Sequence, residues 1–217
     1  MIRGDLSAAL RAAEPELWEA FIDHPLFLQT AEGMLSAPAR DRYFRFERAF
    51  VGQAVTVFAH ILTGAPDRAV QRKLVAALDA LVNEQEPLFD RLFAQAGLDF
   101  VPDAALPPPV RAFCEGMTTM ARDGGYAGGL AIMFVAERGY LEASRRIMAG
   151  SVSDPALREW FALHIAPGFV ESAAWLATEL NRVGTRGASS ADLVPLTRRA
   201  LELEIAFHDA ALADDAG

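Results

Sequence analysis

The stretch YAGGLAIMFVAERGYLEASRRIMA, Tyr126 to Ala149, predicts one long helix near the middle of the chain. Seven of its residues recur at three- and four-residue spacing and therefore share one helix face: Leu130, Met133, Phe134, Glu137, Tyr140, Leu141 and Ser144. That face is apolar apart from three polar side chains, of which Glu137 is the most unusual, because burying a carboxylate is costly unless a polar group meets it. Two interpretations remain open for Glu137. It either reaches water at the edge of the face or lines a pocket.

The rest of the chain also has helical periodicity, without a clear alternating strand or an Asn-Gly hairpin signal. The predicted helices are Leu6–Asp23 (restarting at Pro15), Leu26–Leu35, Pro38–Leu62, Asp67–Ala96 (kinked or broken by Pro87), Val110–Arg122, Tyr126–Ala149, Asp154–Val183 (kinked by Pro167) and Ala191–Leu212. A loop is expected at Asp99–Pro109. Helices joined by short connections predict an all-α, single-domain bundle of seven to eight helices over residues 1–217.

Composition excludes several classes of function. The 217 residues are 52% hydrophobic and 23% charged, which is typical of a globular protein. A net charge of −9 argues against a nucleic-acid partner, because binding phosphates requires a basic surface. No apolar run is long enough to span a bilayer, and the N-terminus does not resemble a signal peptide, so we expect a soluble cytoplasmic protein without a membrane partner.

The sequence predicts neither a metal site nor a cofactor. Cys114 is the single cysteine, which excludes an internal disulfide framework and thiolate-bound clusters, and a buried inert thiol is the favoured interpretation. A carboxylate-bridged metal pair in a helical bundle would need Glu-x-x-His pairs, and none occurs. Glu204 and His208 are four residues apart and could face one site, but two ligands do not make a metal centre. The glycine pairs before the Tyr126 helix follow no strand, so they do not form a dinucleotide fingerprint.

Four short motifs resemble the TenA/thiaminase II family. They are His24-Pro25-Leu26-Phe27 followed by Ala31–Leu35, then Tyr140-Leu141-Glu142, Arg158-Glu159-Trp160 and Leu203–Ala211, and together they extend the resemblance over roughly residues 14–212. The resemblance implies a heme oxygenase-like fold that binds no haem. It also implies a deep central pocket for a pyrimidine, a homo-oligomer (tetramer or dimer), and chemistry on thiamin or its breakdown products.

The resemblance places substrate-binding residues on two of the predicted helices. The family's pyrimidine-binding aspartate falls on Glu47, which keeps the carboxylate on a longer side chain. An aromatic residue three positions later falls on Phe50, and the family's tyrosine on the Val110 helix falls on Phe113. Both phenylalanines can stack on a ring but lack the tyrosine hydroxyl. For Glu47 alone, a solvated carboxylate would be the alternative.

The largest departure from the family is at its nucleophilic cysteine, which falls on Ala136 and cannot attack a carbon. Tyr140 keeps the tyrosine that follows the nucleophile, and an aromatic position falls on His164, which could equally lie on a helix surface. Glu204 keeps the family's proton-shuttling glutamate. Without a cysteine, a carboxylate would have to activate water as a general base. The expected catalytic residues are Glu204 and Glu47, and the expected substrate-binding residues are Phe50, Phe113, Ala136, Glu137, Tyr140 and His164.

Three functions fit this pattern. The first is a thiamin-salvage hydrolase that uses water instead of a cysteine to act on aminopyrimidines or formylaminopyrimidines. The second is a non-catalytic protein that binds a pyrimidine or another heterocycle. The third is an oxygenase-type relative of pyrroloquinoline quinone synthase, against whose di-iron version the scarcity of histidine ligands weighs. A role as transcriptional regulator finds no support in an acidic chain.

Overall fold

The computed structural model describes residues 5–213, and within them the secondary structure is helical throughout. The α-helices are α1 (Leu6–Ala13), α2 (Pro15–Ile22), α3 (Pro25–Ala31), α4 (Ala37–Thr63), α5 (Arg68–Ala80), α6 (Glu86–Ala96), α7 (Pro108–Asp123), α8 (Gly125–Met148), α9 (Pro155–Leu163), α10 (Pro167–Thr185) and α11 (Ser190–Leu212). The predicted all-α class is confirmed. The described residues hold more helices than the seven to eight predicted, because three of the predicted long helices are divided at prolines.

Local sequence signals account for the helix boundaries. Pro15 begins α2, where its missing N–H costs little. The Asp67 side chain accepts hydrogen bonds from the backbone N–H groups of two residues in the first turn of α5, and Asp154 does the same at α9, so both are N-caps as predicted. The break predicted at Pro87 is preceded by a five-residue π-helical turn, Leu81–Gln85, that joins α5 to α6. The predicted loop at Asp99–Pro109 contains a short 3₁₀ turn, Asp103–Ala105.

The described chain divides into two compact units. The first comprises residues 5–35 and 130–205, and the second comprises residues 36–129 and 206–213. Helices α8 and α11 each contribute residues to both units. The single domain expected over residues 1–217 stays a prediction. No helix among residues 5–213 is long and apolar enough to cross a membrane.

Aromatic rings form the core of the first unit. Phe27 makes edge-on contacts with Tyr140 and Phe161, at centroid distances of 5.8 and 5.9 Å, and Phe21 contacts Tyr140 at 6.0 Å. Such edge-to-face pairs add to the hydrophobic stabilisation of the buried area. Helix α8 can approach α2 this closely because residue 139 is glycine. A Cβ at that position would lie 2.7 Å from Cδ1 of Phe21.

The core of the second unit lies along α4, α6, α7 and the end of α11. Its large fully buried side chains are Tyr43, Phe44, Phe58, Phe89, Phe113 and Phe207. Phe44 contacts Phe89 at 6.3 Å between centroids, and Phe46 contacts Phe207 at 6.0 Å. The aromatic residues of the predicted Pro38–Leu62 helix therefore hold α4 against two neighbouring helices of the same unit.

Helix α8 is buried more completely than its sequence pattern predicts. All seven residues of the predicted face are buried, including Glu137 at 9% exposure and Ser144 at 0%. Every residue from 128 to 137 is buried, on all sides of the helix. A helix that is apolar all round is typical of the interior of a protein. The periodic face is therefore part of a larger buried surface.

Candidate functional site

Three carboxylates proposed for the site are buried. Glu47 on α4 is 3% exposed, Glu137 on α8 is 9% exposed and Glu204 on α11 is 1% exposed. Glutamate is almost never fully buried unless it is paired. The alternative that Glu47 and Glu137 reach water is therefore wrong, and Glu204 is buried as well.

In the first unit, Glu137 is paired with a residue that sequence reasoning did not identify. The Ser172 hydroxyl on α10 donates a 2.9 Å hydrogen bond to Oε2 of Glu137. Burial raises the pKa of the Glu137 carboxyl to about 7, and the hydrogen bond from Ser172 lowers it in part. Ionised and protonated forms of this carboxyl therefore coexist near neutral pH. No sequence signal identifies Ser172, because 35 residues separate it from Glu137.

His164 is also buried in the first unit, at 4% exposure, so its placement on a helix surface is wrong. Its ring lies 4.9 Å from the Tyr140 ring and 4.7 Å from the Phe169 ring, between centroids. Nδ1 lies 2.9 Å from the Trp160 carbonyl oxygen. Because a carbonyl only accepts, Nδ1 carries the proton and Nε2 is the unprotonated nitrogen. Burial lowers the pKa of His164 to about 4, although the hydrogen bond to Trp160 raises it in part, and the ring is neutral at pH 7.

Two further residues of α8 belong to this region of the first unit. Ala136, at the position of the family's nucleophile, is 5% exposed, and Tyr140 is 6% exposed. Ser144, one turn after Tyr140, is fully buried, and its hydroxyl makes no hydrogen bond within residues 5–213. The buried surface of α8 thus presents a carboxyl group, a phenol and a hydroxyl at helical spacing.

In the second unit, the structure brings Glu47, Phe50 and Phe113 into one cluster with two residues of α11. Nε2 of His208 lies 4.0 Å from Oε1 of Glu47. The Phe113 ring contacts both Phe50 and Phe207, at 4.4 and 4.7 Å between centroids. Phe50 is half-buried, whereas Phe113 and His208 are buried. This arrangement offers aromatic faces near a buried carboxylate, which suits a flat heterocycle with a hydrogen-bond donor.

His208 is the member of this cluster whose partner the sequence did not identify. Its spacing from Glu204 suggested that these two residues shared a site, whereas the contact seen within the second unit is to Glu47. The His208 ring also contacts the rings of Tyr43 and Phe207, at centroid distances of 5.9 and 5.1 Å. Within residues 5–213, no three His, Cys, Asp or Glu side chains are grouped so that they could hold a metal ion.

Cys114 on α7 is the buried thiol that the sequence predicts, at 6% exposure. Burial, reinforced by the carboxylates of Asp103, Glu47 and Glu115, raises the pKa of the thiol to about 12. The attacking species in cysteine chemistry is the thiolate. Cys114 is therefore protonated at neutral pH and does not replace the missing nucleophile at residue 136.

A sequence model of the TENA/THI-4/PQQC family matches residues 11–214 of this chain. No curated protein sequence matches it. The match to the family model includes both compact units and all of the candidate residues.

Solved structures of TenA proteins have the same fold. A TenA homologue from Pyrococcus furiosus superposes with a TM-score of 0.88 at 15% identity, covering 95% of this chain and 99% of that one. A TenA family transcription regulator from Silicibacter sp. TM1040 gives 0.85 at 18% identity, covering 98% of each chain. A Sulfolobus solfataricus protein that has been suggested to be a TenA-like thiaminase gives 0.78 at 14% identity, covering 95% of each. At these identities the likeness establishes the fold alone.

Proposed function

The chain belongs to the TENA/THI-4/PQQC family, and from that membership we propose that it is a hydrolase acting on pyrimidines formed by thiamin breakdown. Its substrates are an aminopyrimidine, a formylaminopyrimidine or both. The thiaminase assignment suggested for the Sulfolobus relative supports the same class of reaction. The heterocycle is the small-molecule partner that the sequence predicts, and no cofactor enters the reaction.

The observation that carries the proposal is the burial of Glu47, Glu137 and Glu204 in a chain that has alanine at residue 136. Desolvating a carboxylate raises its pKa toward neutrality, and an acid–base catalyst works best when its pKa lies near the working pH. Buried carboxylates of this kind are common at active sites. They offer proton-transfer groups where a cysteine nucleophile is absent.

We assign the proton transfer to Glu204. Its carboxylate takes a proton from water as the water oxygen forms a bond to the substrate carbon. The carbon–nitrogen bond breaks, and Glu204 returns the proton to the departing nitrogen, so the carboxylate is regenerated. Ammonia leaves an aminopyrimidine, whereas formate and the free amine are the products of a formylaminopyrimidine.

Glu47 is assigned to substrate binding within this mechanism, because a carboxylate accepts hydrogen bonds from a ring amino group. Phe50 and Phe113 supply aromatic faces for the pyrimidine. Ala136, Glu137, Tyr140 and His164 are the remaining substrate-binding residues of the proposal. In the structure, Glu137 combines burial with a pKa of about 7, which gives it a donor form as well as an acceptor form.

The test is release of ammonia or formate by the wild type and by Glu204→Gln. Removing a general acid–base group typically costs 10²- to 10⁴-fold in rate, so we expect turnover to fall by at least about 100-fold while calorimetric binding of the pyrimidine is nearly unchanged. Glu202→Gln is the matched control, since Glu202 is an exposed glutamate one half-turn away on the same helix. Equal loss in both variants, or an active Glu204→Gln enzyme, would contradict the assignment.

Alanine at residue 136 favours a second candidate, a protein that binds the heterocycle without transforming it. A wild-type protein that binds pyrimidines in calorimetry but releases neither ammonia nor formate would support this binding protein over the hydrolase. Failure to bind thiamin or any of its pyrimidine fragments would contradict both. A homotetramer or homodimer stays a prediction, to be checked by light scattering coupled to size-exclusion chromatography.

A further inference from the structure

The second unit contains a cavity of about 330 Å³ that includes none of the residues assigned to the hydrolase. It lies between α4, the segment that contains the 3₁₀ turn, and α7. Its lining residues are Gln53, Asp103, Ala104, Leu106, Arg111, Cys114, Glu115, Thr118 and Thr119. The volume is at the lower end of the range for sites that bind small molecules.

The residues that line this cavity include Cys114. The residue is 6% exposed yet lines the cavity, and its thiol makes no hydrogen bond to another residue within residues 5–213. It is the only cysteine in the sequence. A reagent that modifies the thiol must therefore enter this cavity, and the modified residue is known without further mapping.

Two donor side chains of the cavity wall, those of Arg111 and Thr118, already make hydrogen bonds within the protein. Nη1 of Arg111 donates to the carbonyl oxygens of Ala104 and Leu106, at 3.2 and 3.1 Å. The Thr118 hydroxyl donates to the Cys114 carbonyl oxygen at 3.0 Å. The Asp103 and Glu115 carboxylates make no ion pair within residues 5–213 and keep their capacity to accept hydrogen bonds.

The charge of the lining is negative, with two carboxylates and one guanidinium. Arg111 is half-buried, and its guanidinium donates to backbone carbonyls, whereas Asp103 and Glu115 are exposed. The same two carboxylates, with Glu47, act electrostatically on the Cys114 thiol. A cleft whose charged groups are mainly negative concentrates cations.

We propose that this cavity binds a small organic cation carrying N–H donors, such as an amidinium or a protonated amine. The carboxylates of Asp103 and Glu115 neutralise its charge and accept its N–H bonds, and the Gln53 side-chain oxygen is a further acceptor. Leu106, Ala104 and the thiol provide apolar contact for the body of the ligand. The site is independent of the proposed hydrolase, and failure of either proposal leaves the other unaffected.

The first test measures the sign of the electrostatic potential in the cavity at Cys114, with two thiol reagents that differ in charge. In the reaction with a methanethiosulfonate, the Cys114 thiolate attacks the reagent sulfur, a disulfide forms and methanesulfinate leaves. We compare the aminoethyl (cationic) and sulfonatoethyl (anionic) reagents and normalise each rate to that of N-acetylcysteinamide. We expect the normalised rate of the cationic reagent to exceed that of the anionic reagent by about tenfold or more. The ratio of these two rates does not depend on the thiolate fraction, which is the same for both reagents.

Matched variants test whether the cavity carboxylates cause the difference between the two reaction rates. Asp103→Asn with Glu115→Gln should bring the ratio of the two rates close to 1, whereas Glu84→Gln with Asp90→Asn removes the same net charge from exposed positions outside the cavity and should leave the ratio high. A ratio at or below 1 in the wild type would overturn the proposal, and so would an equal decrease in the two double variants.

The second test measures binding, with benzamidinium as the probe and benzamide as its neutral counterpart of similar shape. Benzamidinium should protect Cys114 from N-ethylmaleimide with saturation in the millimolar range or below, and benzamide should not. Protection should be lost in the Asp103→Asn, Glu115→Gln variant. Equal protection by benzamide, or no protection by benzamidinium at about 10 mM, would show that the cavity does not select cations and would overturn the proposal.

Discussion

The Ser172 hydroxyl donates its hydrogen bond to a carboxyl group that is almost completely removed from water, that of Glu137. No charged group is among the causes of the raised Glu137 pKa, which are burial and this one hydrogen bond. The charge state of Glu137 should therefore respond to pH and to Ser172 in a way that can be measured separately from any reaction.

Glu137→Gln should remove a pH dependence of stability. The pKa is 4.5 in an ordinary environment and about 7 in the folded chain, so the unfolded state ionises first as pH rises. Stability of the wild type is then full below about pH 4.5, falls through about pH 7 and levels off, by roughly 3 kcal/mol in all. As pH rises from 5 to 8 in urea unfolding, Glu137→Gln should gain stability relative to the wild type and to the exposed control Glu202→Gln. The comparison is made between proteins because His164 changes stability in the opposite direction over the same pH range. An unchanged pH dependence in Glu137→Gln would contradict this assignment.

Ser172→Ala should raise the pKa of Glu137 above about 7, because the hydrogen bond favours the ionised form. A titration followed by the carboxyl ¹³C resonance of Glu137 measures the change. Ser172→Thr keeps the hydroxyl and serves as the control. If the alanine variant titrates like the wild type, the hydrogen bond does not control the proton.

His164→Asn should make the protein less sensitive to acid. Burial lowers the folded-state pKa of His164 from 6.5 to about 4, so protonation below pH 6.5 favours the unfolded state. The stability contributed by the neutral ring is present above pH 6.5 and is lost as pH falls toward 4, by roughly 3 kcal/mol. Asparagine can keep a donor near the Trp160 carbonyl without titrating in this range.

Thermal unfolding between pH 4 and 7 checks the His164 prediction. His60 is a half-buried histidine at the end of α4, and His60→Asn serves as the control variant. As pH falls from 7 to 4, His164→Asn should gain stability relative to the wild type and to His60→Asn, and the curves of those two proteins should stay parallel. Parallel curves for all three proteins would contradict the prediction.

Substitution by alanine should have opposite effects on stability at two glycines inside long helices. Gly139→Ala places a Cβ 2.7 Å from Cδ1 of Phe21 in a buried aromatic cluster, and overpacking of this kind costs about 1–3 kcal/mol. At Gly52 on α4 the added Cβ has its nearest neighbour, an Arg48 nitrogen, at 3.9 Å. Gly52→Ala should therefore stabilise by about 0.5–1 kcal/mol through helix propensity. Chemical denaturation of both variants measures the two changes, and a stabilising Gly139→Ala would show that Phe21 can move aside.

The sequence predicted those parts of the fold that depend on local chemistry. Pro15 marked a helix start, and Asp67 and Asp154 marked N-caps, because each acts on backbone groups within a few residues. The apolar spacing around Glu137 predicted a helix with a buried face. Pro87 predicted the break, but not the π turn at Leu81–Gln85, which depends on packing against other helices.

The candidate residues were harder to evaluate from sequence, because their environments come from distant segments. Burial of Glu47 and His164 is determined by the helices around them, whereas a single helix gives only the spacing. The Ser172 partner of Glu137 and the contact between His208 and Glu47 both join separate helices. A resemblance to a family identified positions to inspect. The partners of the side chains at those positions come from distant segments, so only the three-dimensional structure identifies them.

The burial of every residue from 128 to 137 has a consequence for how this protein can diversify. A helix with one solvent-facing side can accumulate neutral substitutions on that side, whereas none of these ten positions faces solvent. A saturation mutational scan should show an unbroken block of intolerance over these ten positions, with tolerant sites only beyond it, at half-buried or exposed residues such as Arg138, Glu142 and Arg145. New specificities would then have to arise through single exchanges of similar volume inside that block, so small residues such as Ala136 are the places where change is both rare and consequential.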